Sequence, residues 1–167
     1  MHLYRLDAPA SRIAAAFGAE AGDDPWAGDY VAPGRPAPVV VGDGRGGTRW
    51  RLRPRLWGVP PPASGTRPVT SVRNLSSPFW IGTLRHTQFR CLVPMTHYRR
   101  GDSWFTDPAA PLLAVAGIWR DSEIPSFAIL TSGASGPLPV ILRPETYDVW
   151  LRADIKIARH LIEEPPC

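Results

Sequence analysis

The stretch PVTSVRNLSSPFW (Pro68 to Trp80), with RCLVP (Arg90 to Pro94) shortly after it, organises the reading of this chain. Ser77 followed by Pro78 predicts a short helix over Ser77 to Leu84. The serine caps it, and the proline takes the first helical position, where its missing N–H costs nothing. RCLVP lies in an apolar run, and Phe89 to Val93 reads as a buried strand.

Working outward, Leu112 to Ile118 is a second buried strand. Phe127 to Leu130 and Val140 to Leu142 complete the β-set. Asp102 to Pro111 reads as a connection with one short strand around Trp104. Upstream, Val39 to Val41 and Thr48 to Leu52 flank the turn Gly42 to Gly47 and predict a hairpin. Ser11 to Phe17 predicts a helix with Ile13 and Phe17 on one face and Gly18 as its stop. Ala21 to Pro38 and Pro60 to Gly65 read as loops. Met1 to Leu6 is an edge strand or an ordered terminus. Pro144 to Leu151 begins a helical segment with Val149, Trp150 and Leu151 inward, and Asp154 to Ile162 predicts a final helix. The pattern is one α+β domain with a mainly antiparallel sheet, open or closed into a barrel, and no internal repeat.

At 167 residues the chain fits one domain with a sizeable core. Its 20 prolines and 15 glycines are scattered, which favours short elements joined by turns over long helices. The formal charge is +4, and 18 of the 19 basic residues are arginine. Arginine suits phosphate through its planar fork, but so modest a net charge does not by itself define a nucleic-acid binder. The two cysteines, Cys91 and Cys167, form no disulfide framework, and Cys91 in its apolar run reads as a buried, inert thiol. No metal site and no cofactor is called for. No signal peptide and no membrane-length apolar run is present, so a cytoplasmic monomer is the expectation.

Further blocks accompany the two central ones: RLWG (Arg55 to Gly58), AVAGIW (Ala114 to Trp119), FAILT (Phe127 to Thr131) and LPVIL (Leu138 to Leu142). Taken in order, they resemble the SOS-response-associated peptidase (SRAP) family over nearly the whole chain. Members of that family bind single-stranded DNA and form a covalent link to abasic sites, using an α+β fold of the kind read above. The resemblance implies four reactive positions, and each holds a different residue here. His2 stands where the family has an N-terminal cysteine whose amine and thiol attack the abasic aldehyde. Ser71 replaces the asparagine of an N-x-R motif whose arginine survives as Arg73. Arg100 replaces a glutamate, and an arginine cannot act as general acid or base. Ser135 or Gly136 falls where the family has a histidine, and the arginine expected before Pro139 is absent.

The implied protein is a SRAP-like scaffold that binds single-stranded or abasic DNA without covalent trapping. Two other readings are an active member that uses the Met1 amine, as an imine former, or an unrecognised base, and a non-DNA interaction protein on the same scaffold. His2, His97 and Arg100 form a replacement site if the N-terminus packs beside residues 97–101; otherwise His97 and Arg100 sit on a solvated loop. Trp57 and Gly58 match a motif on the family's DNA-binding face, where Trp57 either stacks on a base or packs in the core. Arg73, beside Asn74, makes a phosphate contact or a structural salt bridge. Arg49, Arg51, Arg53 and Arg55 alternate along one strand face, which tracks a nucleic-acid backbone or is simply solvated.

Overall fold

In a computed structural model, which describes residues 2–42, 49–132 and 138–163, the chain is α+β, with two largely antiparallel sheets and short helices. The strands are β1 (Tyr4–Leu6), β2 (Ala19–Glu20), β3 (Asp29–Val31), β4 (Pro36–Gly42), β5 (Trp50–Trp57), β6 (Ser71–Val72), β7 (Arg90–Met95), β8 (His97–Arg100), β9 (Ser103–Phe105), β10 (Leu113–Arg120), β11 (Ser126–Ser132), β12 (Leu138–Pro139) and β13 (Ile141–Leu142). The helices are α1 (Ala10–Phe17), α2 (Pro78–Leu84), α3 (Tyr147–Arg152) and α4 (Ile155–Glu163).

Five strands close a barrel in the order β4, β5, β11, β10, β7, with β7 pairing back onto β4. Every pairing in the ring is antiparallel except β5 with β11, which is parallel and joins only Leu56 to Ser126 and Trp57 to Phe127. The register puts Val41, Cys91, Gly117 and Ile129 on one side of the wall, and Val40, Leu92 and Ala116 on the other. The first side packs most tightly at Gly117. A Cβ there would meet Val93 Cγ2 at 2.8 Å and Cys91 Sγ at 3.1 Å, so only hydrogen fits.

The other side carries Arg90, opposite Ile118, and is clad by helices. Arg90 is fully buried, and its guanidinium donates to the carbonyls of Leu84, Trp150 and Ala153. One side chain therefore ties the ends of α2 and α3 to the barrel. Arg120 does a similar job at α2, donating to the Phe79 carbonyl and Thr83 Oγ1 with its guanidinium 4.2 Å from the Phe79 ring centre. Part of the arginine content is thus structural bracing.

Local chemistry explains the helix ends. Ser77 Oγ accepts the Phe79 amide at 3.3 Å, as its capping role requires. Gly18 ends α1 in the left-handed region at φ +62°.

A second, four-stranded sheet has the order β3, β1, β8, β9. Here β1 is central rather than an edge, because its two neighbours are β3 and β8. The segment expected as loop over Ala21 to Pro38 contributes β3 and the start of β4. His97 and Arg100 lie on strand β8, not on a loop. Residues 101–102 form a two-residue turn between β8 and β9, with Gly101 at φ +60°.

Candidate nucleic-acid interface

One side of the small sheet packs on the core at β1 and β3 and opens to solvent at β9, where Phe105 is exposed; the other side is open. Tyr4, Leu6 and Val31 are buried in the core. On the opposite side, Tyr30 pairs with Arg5, Arg5 pairs with His97, and Arg99 pairs with Trp104. Tyr30 is 49 % exposed and Trp104 36 % exposed. Their rings meet at 5.9 Å with a 55° tilt, although they come from the two edge strands. Beside them the Arg5 guanidinium lies 5.0 Å from the Tyr30 ring centre and the Arg99 guanidinium 5.7 Å from that of Trp104. The result is an exposed aromatic pair beside two guanidiniums, a surface able to stack a base, although each guanidinium already has a carboxylate neighbour, Asp7 for Arg5 and Asp102 for Arg99 at 3.5 Å.

A hydrogen-bonded hub holds this face. Thr96 Oγ1 donates to the Arg5 carbonyl and accepts the Asp7 amide. Its proton being committed, the 2.9 Å contact to His97 Nδ1 requires the imidazole to donate, which leaves Nε2 as the open nitrogen. Asp7 pairs with Arg5 at 2.5 Å and lies 3.9 Å from His97. Arg5 and His97 are therefore oriented as a unit around one carboxylate.

The N-terminus does pack beside residues 97–100. Tyr4 pairs with Tyr98 and Arg5 with His97, and continuing that register sets His2 opposite Arg100. Both residues are exposed. Ser71, half-buried on β6, joins the same region indirectly. It follows Thr70, whose carbonyl accepts the Trp57 indole at 3.1 Å, and the Trp57 ring lies 5.2 Å from Tyr4. Ser135 and Gly136 lie outside the described residues.

Trp57 is not a stacking surface. It is fully buried, packed between Tyr4 and Phe127 (ring centres 5.2 and 6.4 Å away) with its indole N–H satisfied. Parallel pairing with β11 covers its ring, so its role is core packing. Gly58, also buried, has φ +127°, and a Cβ there would meet Pro68 at 2.9 Å. That strand exit requires glycine.

The arginine stripe is not a free solvated face. Arg51, Arg53 and Arg55 stand opposite Val41, Val39 and Ala37, all buried, and are themselves half-buried. Arg51 lies 3.6 Å from Glu20 on β2, Arg53 donates to the Leu52 carbonyl, and Arg55 sits 4.4 Å from the Trp119 ring centre. Arg49 is exposed ahead of β5. Arg73 is exposed and has no salt bridge among the described residues, so a structural ion pair does not account for it. Asn74 Oδ1 accepts the Ser76 amide, a local turn bond that leads into the α2 cap.

Cys91 is buried and free, and burial drives its thiol well above its ordinary range, so it is not a nucleophile near neutral pH. The Tyr4 phenol is raised by burial and then by Cys91, and its hydroxyl has no partner among the described residues. Sequence reasoning missed Tyr30, Arg5, Arg99 and Trp104 as a group. They lie about a hundred residues apart at the extremes, and only the strand order joins them.

No protein-family model matches the sequence, and no curated protein matches it. Solved structures do share the fold. A protein from Bordetella bronchiseptica superposes with a TM-score of 0.75 at 18 % identity, covering 100 % of this chain and 95 % of its own. A phage-related protein from the same organism gives a TM-score of 0.75 at 18 % identity, covering 99 % of this chain and 90 % of its own. At that identity the likeness defines the class of fold.

Proposed function

We propose that this protein is a SRAP-like single-stranded DNA binder that does not trap abasic sites covalently. The observation that carries the reading is the open face of the small sheet, where Tyr30 and Trp104 stand exposed beside Arg5 and Arg99. Its rings come from β3 and β9 and its arginines from β1 and β8, the two strands whose register sets His2 opposite Arg100. Strand alternation puts His2 and Arg100 in phase with Tyr4 and Tyr98, so the position implied for covalent chemistry lies across the sheet from the aromatic–arginine face. The residues at the implied positions are an imidazole (His2), a hydroxyl (Ser71) and a guanidinium (Arg100), with no thiol to close a ring and no carboxylate at position 100. Arg73, exposed and unpaired among the described residues, adds a phosphate contact. The Met1 amine of the imine-forming reading lies outside the described residues.

The test uses fluorescence anisotropy with a labelled single-stranded oligonucleotide across a salt series, and a denaturing gel with abasic DNA with and without borohydride. Affinity falls as salt rises, by roughly 0.7 log units per phosphate contact for each tenfold in salt. Trp104→Ala costs about 1–3 kcal/mol of binding, the worth of one stacked base. Arg73→Ala weakens binding and flattens the salt slope. The gel shows no band without reductant. Salt-independent or absent binding sinks the DNA reading, and a reductant-independent band sinks the non-covalent one.

A further inference from the structure

A cavity of about 610 Å³ shares no residue with the aromatic–arginine face. Its volume falls in the range of small-molecule sites. α1 supplies Arg12 and Phe17, the approach to β10 supplies Leu112, β13 supplies Ile141, and the segment into α3 supplies Arg143 and Tyr147. The Phe17 and Tyr147 rings meet at 5.6 Å with a 40° tilt, making an aromatic wall. Ile141 is 43 % exposed, a large aliphatic side chain left open on the cavity lining.

Arg12 and Arg143 come from different elements, both are exposed, and neither guanidinium has a hydrogen bond or ion pair among the described residues. Arg143 is held at a fixed point of the backbone, because the Thr146 amide and hydroxyl both donate to its carbonyl at 2.9 and 2.7 Å. The lining contains one acid, Asp107, whose Oδ1 accepts the Ala109 amide within its own turn. Two guanidiniums against one carboxylate leave the cavity one negative charge short of balance. A carboxylate supplies that charge and fits the planar fork of arginine, whereas a phosphate monoester dianion oversupplies it.

We propose that this cavity binds a small carboxylate with a flat apolar body, the carboxylate between Arg12 and Arg143 and the body against Phe17, Leu112 and Ile141. The inference does not rest on the DNA-binding reading.

Amide NMR titration of the intact protein with 2-naphthoate, 2-naphthylmethanol and 2-naphthyl phosphate tests it. Saturable shifts are expected with naphthoate at Phe17, Leu112, Ile141 and Tyr147, with a Kd below about 1 mM. The neutral alcohol and the phosphate should bind at least about tenfold more weakly. Arg12→Gln with Arg143→Gln should weaken naphthoate at least about tenfold while leaving the melting temperature in place, since both side chains are exposed and unpaired. Equal affinity for acid and alcohol would reduce the site to an apolar hollow and overturn the proposal. Tighter phosphate binding would overturn the carboxylate assignment. Absence of saturable shifts with naphthoate, or full retention by the double variant, would overturn it as well.

Discussion

Replacing Arg90 by methionine keeps most of the side-chain volume but removes every donor. The guanidinium reaches the Leu84 carbonyl through Nε at 3.2 Å and Nη2 at 3.0 Å, and reaches Trp150 O and Ala153 O through Nη1. Three acceptors at helix ends lose their partner together. Leu84 and Trp150 are buried, whereas Ala153 is half-buried and open to water. Two buried acceptors left unsatisfied cost about 1–3 kcal/mol each. The lost burial cost of the charge offsets part of this, and breaking a buried charged network by removing one partner typically costs about 3–5 kcal/mol. We therefore expect Arg90→Met to lose about 4 kcal/mol, a large share of the roughly 5–15 kcal/mol that holds a domain together. At roughly 2–4 °C per kcal/mol for this chain length, the melting temperature falls by about 12 °C. Thermal and urea unfolding followed by circular dichroism provide the assay. Arg85→Met is the control, since Arg85 is exposed and its side chain has no partner among the described residues. Arg90→Lys should recover only part of the loss, because one ammonium cannot span three carbonyls. A fall of less than about 3 °C in Arg90→Met would mean that the arginine's burial cost cancels its bonds, and the bracing argument would fail.

Further expectations follow from the barrel. Gly58→Ala places a Cβ 2.9 Å from Pro68 at a positive φ and should lower the urea midpoint by about 1–3 kcal/mol of stability. Gly117→Ala overpacks the wall against Val93 and Cys91 and should cost about 1–3 kcal/mol, partly recovered in combination with Val93→Ala. Tyr4→Phe removes a buried hydroxyl with no partner among the described residues, so it should leave stability unchanged or raise it by about 1 kcal/mol, read in the same denaturation curves. Tyr4 and Cys91 are both held neutral in the fold. Raised values mean that their contribution is complete below the ordinary pKa and is lost as pH rises, so stability should be flat to about pH 9 and fall above it. A denaturation midpoint that rises between pH 9 and 11 would contradict that sign.

Much of the fold is legible locally. Ser77 and Pro78 specify the start of α2, and Gly18 specifies the end of α1, because capping chemistry needs only adjacent residues. The apolar runs around Cys91 and Val115 announce β7 and β10 because both sides of the wall are covered. The small sheet is less readable. Tyr30 lies on a three-residue strand between Gly28 and Pro33, and the polar run His97 to Arg100 gives no hydrophobic period. The pair Gly101-Asp102 is a hairpin turn signal, but a run of charged and aromatic residues masks it. Trp57 illustrates the limit for sites. A motif can nominate a tryptophan, but pairing with β11 and contact with Tyr4 decide whether its ring meets solvent, and those partners are remote in sequence.

The parallel link between β5 and β11 acts as a clasp on an otherwise continuous curled sheet. β4 and β5 pair along their full length, from Pro36 with Leu56 to Gly42 with Trp50, and β7 with β10 from Leu113 with Met95 to Ile118 with Arg90. The clasp joins two residues on each strand across some seventy positions of chain, so its ordering entropy is high and its ladder short. It should therefore close last during folding and exchange its amide hydrogens first in the folded state. The amides of Leu56 and Gly58, bonded to Pro125 and Phe127, report that opening directly. Each opening would briefly uncover Trp57, a ring that the closed barrel keeps from solvent on every side.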